Sequence, residues 1–273
     1  MADVVVDGAA ARVVRLPGLR NVRDLGGLPA ADGARVRTGR VLRAELLGGP
    51  DAPEMCGTYD EADADRYRAL GLRTILDLRT PDEEAEVPSQ WVRATSARLV
   101  NVPVAEGGRL IEGMLSGVVP ATTAEEFGRL YTKMFDRRAE AFGAALTVLA
   151  EPAVLPAVVH CSAGKDRTGA LVALLLSVLG VPRDLVVEDY AYTGVARPDR
   201  VDLYADDLAA VGRSVEEVRV FFEAPPVTMR VALDHLDAEY GGVEAYLTGP
   251  GRTDPAVLER LRDTMLEKGP EPR

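Results

Sequence analysis

The sequence predicts an α/β protein in which a mostly parallel central sheet is flanked by helices and is followed by a helical C-terminal extension. Two observations carry this prediction. Short β-branched apolar runs alternate with helical patterns up to about residue 182, as is typical of parallel sheets with helices on both faces. Beyond Pro182 the patterns are almost wholly helical and are separated by Pro and Gly signals.

The predicted elements follow in chain order. Strands are predicted near Val41 to Arg43, at Thr74 to Leu78, at Arg98 to Val104 and at Ala157 to His160. Between and after them, helices are predicted at about Asp60 to Leu70, at Thr122 to Leu149 as one or two helices, and at Gly169 to Gly180. The extension is predicted to hold helices near Arg183 to Tyr192, Val201 to Val211, Val215 to Phe222, Val227 to Tyr240 and Pro255 to Glu267.

Length and composition fit one domain. The chain has 273 residues, 47% of them hydrophobic, which is enough to bury a substantial core. We predict a single domain over residues 1–273, with an α/β core over residues 12–182 and a helical extension over residues 183–270. Cys56 and Cys161 are the only cysteines, so no disulfide framework is indicated and we expect a reducing environment.

Charge and apolar patterning exclude several classes of function. The net charge of −11 argues against nucleic acid as a partner and against broad adsorption to anionic membranes. The longest apolar run, Ala170 to Val181, is too short for a membrane helix, and the first residues lack the pattern of a signal peptide. We therefore expect no integral membrane segment and a cytoplasmic location. With two histidines and no Cys/His cluster, we expect neither a metal site nor a cofactor.

One segment, HCSAGKDRTG at residues 160–169, carries the functional prediction. It lies between a buried strand and an apolar helix, so residues 161–168 are predicted to form a strand-to-helix turn. Successive N–H groups of such a turn point inward and the helix N-terminus is partly positive, which suits a phosphoryl group. Gly164 and Gly169 permit the backbone angles and close approach that this requires. The predicted phosphate-binding loop comprises Ser162, Ala163, Gly164, Lys165, Thr168 and Gly169.

The polar residues of the loop have predicted roles. The guanidinium of Arg167 can bind two phosphate oxygens at once, and the positive field favours the thiolate of Cys161 as nucleophile. Its attack on phosphorus would give a cysteinyl-phosphate that water hydrolyses to inorganic phosphate. We expect His160 to orient the loop and the hydroxyl of Thr168 to donate to the departing sulfur. The alternative, a structural cysteine in an ordinary turn, explains neither the glycines nor Arg167.

Two aspartates are candidates for the acid that protonates the leaving oxygen. Asp166 lies within the loop, where it can serve as general acid and then as general base. Asp77 lies at the end of a predicted strand, on the edge where open α/β sheets bind ligands. We favour Asp166 and keep Asp77 as the alternative acid, or as a residue that orients Arg167 or caps a neighbouring loop.

A basic segment precedes the first predicted strand. From Arg12 to Arg43 it contains eight arginines against two aspartates. Arg23 and Arg43 are the candidates to reach the mouth of the pocket, where they would attract phosphorylated substrate. Pairing with acidic side chains elsewhere is the alternative for each of them.

Several of these segments resemble a known family. Residues 160–169 match the His-Cys-x5-Arg-Thr-Gly signature of cysteine-dependent protein tyrosine and dual-specificity phosphatases, and the fuller HCSAGKDRTG resembles the bacterial branch typified by mycobacterial tyrosine phosphatase B. NVRDLGG at residues 21–27, GRVLRAE at 39–45, LDLRT at 76–80 and YGGVEAYL at 240–247 also resemble that branch. The resemblance therefore spans nearly the whole chain.

The resemblance implies the three-layer cysteine-phosphatase fold and hydrolysis of phosphotyrosine. Lys165 and Asp166 resemble residues of phosphoinositide phosphatases, so phosphoinositides join phosphoserine and phosphothreonine as candidate substrates. Lys165 would then bind an additional phosphate, unless it is a solvated charge at the rim. In that branch a pair of helices covers the site, so the extension is a candidate lid or else a buttress against the sheet. The stretch Glu106 to Pro120 is shorter than the acidic insertion of some relatives.

Two other classes of function use a similar loop. A sulfurtransferase or an arsenate-reducing enzyme would need the cysteine but not Lys165, Asp166 and Thr168 together. A non-catalytic phosphate-binding module usually lacks the cysteine or the arginine, and this chain has both.

Overall fold

The central sheet is parallel except at one edge. The computed structural model describes residues 7–52, 56–104, 123–197 and 201–268. In chain order its strands are β1 (Arg23–Asp24), β2 (Ala34–Val36), β3 (Val41–Ala44), β4 (Leu47–Gly48), β5 (Gly57–Thr58), β6 (Thr74–Asp77), β7 (Arg98–Asn101), β8 (Ala157–His160) and β9 (Leu266–Lys268). The sheet has the order β1-β3-β8-β6-β7, with β1 antiparallel to β3 and the other neighbours parallel. Short pairs join β2 to β9 and β4 to β5.

Helices occupy most of the remaining described residues. In chain order they are α1 (Asp7–Ala10), α2 (Ala64–Arg68), α3 (Pro81–Glu86), α4 (Trp91–Thr95), α5 (Ala124–Leu149), α6 (Asp166–Val178), α7 (Arg183–Ala196), α8 (Ala205–Ala210), α9 (Val215–Val218), α10 (Pro226–Tyr240), α11 (Val243–Thr248) and α12 (Pro255–Met265). Capping explains the start of the longest helix, since Thr123 and Glu126 form a capping box at α5.

Each face of the sheet is covered by its own hydrophobic cluster. Alternate residues of β8 separate the two, because Val158 packs with Tyr67 of α2 and Trp91 of α4, whereas Val159 packs with the cluster formed by α5, α6 and the extension. This layer order places helices on both faces of a mostly parallel sheet. The predicted α/β architecture is therefore confirmed.

The C-terminal extension is continuous with the core. Helix α10 packs along α5, and residues of both belong to one hydrophobic cluster that also includes α6 and α12. This part of the extension is a buttress, as one of the two expectations had it. The single domain over residues 1–273 remains a prediction that this shared cluster favours. The stretch Glu106 to Pro120 lies outside the described residues.

Some predicted elements differ in detail. The helix expected over residues 60–70 begins with a 3-10 turn, Glu61–Asp63, capped by the Asp60 carboxylate. The helices expected over residues 201–211 and 215–222 are each split, because the 3-10 turn Val201–Tyr204 precedes α8 and the 3-10 turn Arg219–Phe221 follows α9. Between them the chain breaks where expected, at Gly212 with a positive φ of 72°, and Ser214 caps α9. In the parts of the chain that are described, none of the helices is both long and apolar enough to span a bilayer.

Candidate active site

The predicted turn leads from the end of β8 into α6, and two glycines explain its tight geometry. Gly164 has a φ of 65°, and a Cβ there would lie 2.3 Å from the carbonyl oxygen of Ala44. At Gly169 a Cβ would lie 2.9 Å from the ring of Tyr190, so α6 and α7 could not pack so closely. Larger residues at either position would displace the loop. Cys161 begins this loop and is 2% exposed.

The carbonyl groups of the loop bond outward, to residues behind it. The Asn21 amide donates to the carbonyl oxygens of Ala163 and Gly164, at 3.3 and 3.2 Å. Arg43 donates to the Gly164 oxygen at 2.7 Å, and Arg197 donates to the Ala163 oxygen at 2.8 Å. In a planar trans peptide the N–H points opposite to the C=O. The amides that follow these carbonyls therefore point toward the inside of the loop, as the sequence analysis expects.

Arg167 forms a two-pronged ion pair with Glu83 of α3. Its Nη1 lies 2.6 Å from Oε2 of Glu83, and its Nη2 lies 2.8 Å from Oε1. Burial would raise the pKa of Glu83, but the hydrogen bonds and charge of Arg167, together with Thr80, lower it to about 2. Glu83 was not predicted from the sequence. The capping box that begins α3 at Thr80 was the available signal, although it indicated a helix start and not a partner for Arg167.

The sulfur of Cys161 lies within electrostatic reach of both cations of the loop. Burial disfavours the charged form of Arg167, but the hydrogen bonds of Glu83 and the negative charge of Cys161 raise the pKa of Arg167 above its ordinary value. The charge of Cys161 also acts to raise the pKa of Lys165. The structure thus brings together the predicted nucleophile and the predicted phosphate-binding arginine.

Lys165 is buried, so the expectation of a solvated charge at the rim is wrong. Its ammonium group donates to the carbonyl oxygens of Phe221 and Glu223, the latter at 3.1 Å, and lies 4.6 Å from the centre of the Phe127 ring. Burial lowers the pKa of Lys165, although the charge of Asp166 opposes the shift. The ammonium is thus enclosed by the extension, by Phe127 of α5 and by Asp166, whose Oδ1 lies 3.4 Å away, and not by solvent.

Asp166 is the first residue of α6 and remains partly accessible, with 25% of its side chain exposed. The hydroxyl of Tyr131 donates to its Oδ1 at 2.6 Å, and a second hydroxyl, that of Tyr190, lies 3.0 Å from the first. Burial and the charge of Asp166 raise the pKa of Tyr131 well above its ordinary value, so this hydroxyl keeps its proton. Neither tyrosine was predicted for this role, because both lie far from Asp166 along the chain.

Asp77 is fully buried and bound to a different arginine. Its Oδ2 accepts from Nη2 of Arg79 at 2.6 Å, and Nε of Arg79 lies 3.0 Å from both oxygens. Burial would raise the pKa of Asp77, but His160 and Arg79 lower it below the ordinary value. The carboxylate of Asp77 is therefore ionised and is bound to the guanidinium of Arg79. Asp77 thus orients Arg79 and not Arg167.

His160 and the hydroxyl residues support the loop. Nδ1 of His160 lies 2.9 Å from the carbonyl oxygen of Cys161, which can only accept, so Nδ1 carries the proton and Nε2 accepts from Ser89 at 3.2 Å. Burial lowers the pKa of His160, although the charge of Asp77, whose Oδ2 lies 3.7 Å from Nε2, opposes the shift. The Ser162 hydroxyl bonds to both Arg167 and Glu83. The Thr168 hydroxyl is buried and has no hydrogen-bond partner among the described residues.

Arg23 and Arg43 do not reach the mouth of the pocket. Both are fully buried behind the loop, where they bind Asp189 of α7. The expectation that they attract substrate directly is wrong, and the alternative of pairing with an acidic side chain is confirmed. Nothing in the sequence indicated Asp189 as the partner, because 146 residues separate it from Arg43.

Comparison with known proteins agrees with this geometry. A model of the tyrosine phosphatase family matches residues 14–267. The chain belongs to this family. It is therefore a tyrosine phosphatase, an enzyme that hydrolyses phosphoric monoesters. The resemblance to this family that its sequence motifs indicated is confirmed.

The similar proteins cover most of the chain. A Cupriavidus necator protein, provisionally named as a tyrosine-protein phosphatase, is 29% identical over 88% of this chain and 84% of its own. The tyrosine-protein phosphatase of Nostoc commune is 27% identical over 74% of this chain and 69% of its own. The triple specificity protein phosphatase PtpB of Mycobacterium tuberculosis is 25% identical over 93% of this chain and 99% of its own. Among solved structures, the core catalytic domain of the Saccharomyces cerevisiae PP-IP phosphatase SIW14 is 15% identical over 81% of this chain and 94% of its own, with a TM-score of 0.38.

Proposed function

We propose that this phosphatase hydrolyses phosphotyrosine through a cysteinyl-phosphate intermediate on Cys161. The observation that carries the proposal is the placement of Cys161 and Arg167 in one loop whose carbonyl groups are held outward. Such a loop offers inward amides and a guanidinium to the same three phosphoryl oxygens. A free thiolate also needs a reducing environment, so we propose the cytoplasm as its location.

The charges around the loop suit a phosphoryl dianion. Among the described residues, six cations form ion pairs at or behind the loop, namely Arg12, Arg23, Arg43, Lys165, Arg167 and Arg197. Four carboxylates face them, those of Glu45, Glu83, Asp166 and Asp189. Within these ion pairs the cations outnumber the carboxylates by two, in a chain whose net charge is −11. This local field favours a bound phosphate.

In the first step the thiolate of Cys161 attacks phosphorus. A sulfur–phosphorus bond forms while the bond from phosphorus to the leaving oxygen breaks, and protonated Asp166 donates its proton to that oxygen. Arg167 and the inward amides stabilise the charge on the three remaining oxygens. We propose that the Thr168 hydroxyl, which is buried and has no hydrogen-bond partner among the described residues, donates to the sulfur when the sulfur departs in the second step.

In the second step water hydrolyses the intermediate. Asp166, now ionised, accepts a proton from the attacking water, the sulfur–phosphorus bond breaks, and inorganic phosphate leaves. Partial exposure and the hydrogen bond from Tyr131 support Asp166 in this role. Burial and the ion pair with Arg79 make Asp77 the weaker candidate.

Phosphoserine, phosphothreonine and phosphoinositides are further proposed substrates. The observation that favours a substrate with a second phosphate is the buried ammonium of Lys165, next to the loop. It binds the carbonyl oxygens of Phe221 and Glu223, so a second phosphate would have to displace this segment to reach it. The name of the mycobacterial relative, triple specificity protein phosphatase, is consistent with a broad range.

Substitutions at the nucleophile and the acid test the mechanism. We expect Cys161→Ser to abolish turnover of p-nitrophenyl phosphate, phosphotyrosyl peptide and phosphoinositides, while inorganic phosphate still binds. We expect Asp166→Asn to lower kcat for phosphotyrosyl peptide by about 100-fold or more, and to slow p-nitrophenyl phosphate less, because its leaving group needs little protonation. Steady-state kinetics and calorimetry with phosphate measure these effects.

Two matched variants serve as controls. Cys56→Ser removes the other cysteine, and Asp263→Asn removes an exposed carboxylate on α12, so both should retain wild-type activity. Turnover by Cys161→Ser would overturn the proposed nucleophile. Equal slowing of Asp166→Asn on both leaving groups would assign the proton to another residue, with Asp77→Asn as the next variant to assay.

A further inference from the structure

Asp189 occupies the centre of a buried arginine cluster behind the phosphate-binding loop. Its Oδ1 lies 2.9 Å from Nη2 of Arg12 and 3.0 Å from Nε of Arg23, and its Oδ2 lies 2.6 Å from Nη1 of Arg43. The side chains of Asp189, Arg23 and Arg43 are fully buried. Helix α7 thus supplies one carboxylate to three cations from the N-terminal part of the chain.

Two of these arginines connect Asp189 to the loop. While Nη1 of Arg43 binds Asp189, its Nη2 donates to the carbonyl oxygen of Gly164 at 2.7 Å. Nη1 of Arg23 donates to the side-chain oxygen of Asn21 at 2.6 Å, and the amide nitrogen of Asn21 donates to the carbonyls of Ala163 and Gly164. Both routes end on the carbonyl groups whose outward direction points the next amides into the loop.

The cluster depends electrostatically on this carboxylate. Burial and the charge of Arg43 lower the pKa of Arg23 to about 9, and Asp189 opposes that shift. Burial would raise the pKa of Asp189, but the charges of Arg23, Arg43 and Arg12 lower it, so it is ionised. Removing one partner from a buried ion pair leaves uncompensated charge, which is strongly unfavourable. Without Asp189, three like charges would repel one another behind the loop.

We infer that Asp189 is a positioning residue for the phosphatase reaction. It fixes Arg43 and Arg23 so that they hold the carbonyl groups of Ala163 and Gly164 outward, and the amides of Gly164 and Lys165 consequently face the phosphoryl oxygens. This inference rests on the proposed function of the loop. It assigns a role to α7, which has no residue in the loop itself.

The test compares Asp189→Asn with Glu188→Gln. Glu188 is the preceding residue and is also buried, but it binds the backbone of Ala9 and not the loop. We expect Asp189→Asn to lower kcat/KM for p-nitrophenyl phosphate by about 100-fold, comparable to the loss of a donor to a transition-state oxygen. We expect its affinity for inorganic phosphate to fall by roughly tenfold, and Glu188→Gln to match the wild type.

A spectroscopic readout separates positioning from a general loss of structure. In the wild type, inorganic phosphate should shift the amide proton and nitrogen resonances of Gly164 and Lys165, because these amides donate to it. In Asp189→Asn the response of these two resonances should be lost, while the resonances of β6 and α10 stay in place.

Arg43→Lys decides the matter if Asp189→Asn fails to fold. A lysine keeps the charge beside Asp189, but its single ammonium cannot reproduce the fork that reaches Asp189 and Gly164 together. We expect it to fold and to lose the same amide response. If the wild type is active, and Asp189→Asn and Arg43→Lys keep its amide response and its phosphate affinity, the role of Asp189 is overturned while the proposed function stands. A wild type that neither binds phosphate nor hydrolyses it from a substrate would overturn the proposed function, and this inference with it.

Discussion

At the level of single residues, the ion pair between Arg167 and Glu83 has two consequences. It holds the guanidinium at the edge of the loop through two short hydrogen bonds, and it joins the loop to α3, with a further contact to Ser162. Holding a guanidinium in place before substrate arrives reduces the entropy lost on binding. Glu83 should therefore contribute to both stability and substrate affinity.

The stability contribution of Glu83 depends on pH. Its pKa falls from the ordinary 4.5 to about 2 on folding, so the folded state favours the ionised form. The contribution is full above about pH 4.5 and is lost as the pH falls toward about 2. We expect Glu83→Gln to lower the free energy of unfolding at pH 7 by about 2 kcal/mol. Urea unfolding at pH 7, 4 and 3 should show the difference from wild type shrinking with acidification.

Glu84→Gln is the matched control for this experiment. It removes a charge from the same first turn of α3, so it reports the loss of the interaction with the helix dipole. We expect Glu84→Gln to lower the free energy of unfolding at pH 7 by less than Glu83→Gln does. A pH-independent difference for Glu83→Gln would contradict the assigned ion pair.

The residues that could be predicted from sequence are the contiguous ones. Cys161, Arg167 and the glycines lie in one turn, where spacing alone defines their geometry. Glu83, Tyr131 and Asp189 could not be predicted as their partners, because only tertiary packing brings these side chains to the loop. The role of Lys165 was open for the same reason, since its environment is formed by residues 56 and 58 positions away.

At the level of elements, the segment from α8 to the turn Arg219–Phe221 lies against the loop through Lys165. The rings of Phe127 and Phe221 pack at 5.1 Å, and the ammonium of Lys165 binds the carbonyl oxygens of Phe221 and Glu223. The segment consists of short helices joined by turns, and proteins open locally as well as globally. We propose that this segment, and not α10, is the part of the extension that acts as a lid.

Removing the ammonium should loosen this segment. We expect Lys165→Met to raise the rate of hydrogen exchange in residues 215–223 by about tenfold or more, because two buried carbonyl groups lose their charged donor. Exchange in α10 should not change. Hydrogen exchange with mass spectrometry measures both regions in one experiment.

Lys133→Met applies the same substitution to an exposed lysine of α5 and serves as the control. It should leave exchange in residues 215–223 at the wild-type rate. Protection of this segment that survives in Lys165→Met would show that the aromatic contacts alone hold it.

Long elements with clear periodicity were predictable, and short ones were not. The strands β3, β6 and β8 and the helices α5, α6 and α10 follow from apolar pattern and capping. Helix α3 has only six residues, so its pattern was too short to be distinguished from a loop. The 3-10 turns Val201–Tyr204 and Arg219–Phe221 were predicted as parts of longer helices, because the apolar pattern does not distinguish a short 3-10 turn from an α-helix.

At the level of the whole molecule, the sheet, the loop and the extension act as one support for a localised positive charge. A chain of net charge −11 brings six cations together in ion pairs at and behind residues 161–168, namely Arg12, Arg23, Arg43, Lys165, Arg167 and Arg197. The order of strand and helix patterns along the chain predicted the fold class, and the net charge led us to expect no nucleic-acid partner. Neither could predict the local field, because cations from the N-terminal segment and carboxylates from α3 and α7 meet only after folding.

The central claim is that Cys161 carries the phosphoryl group during turnover. Rapid mixing of the wild type with excess p-nitrophenyl phosphate, followed by acid quenching and peptide mass spectrometry, measures this directly. We predict that the mass of one phosphoryl group appears on the peptide containing Cys161, and that Asp166→Asn, which lacks the base for the second step, accumulates more of it. Turnover without any phosphorylated Cys161 peptide in either protein, or with the phosphoryl group on another residue, would contradict the account.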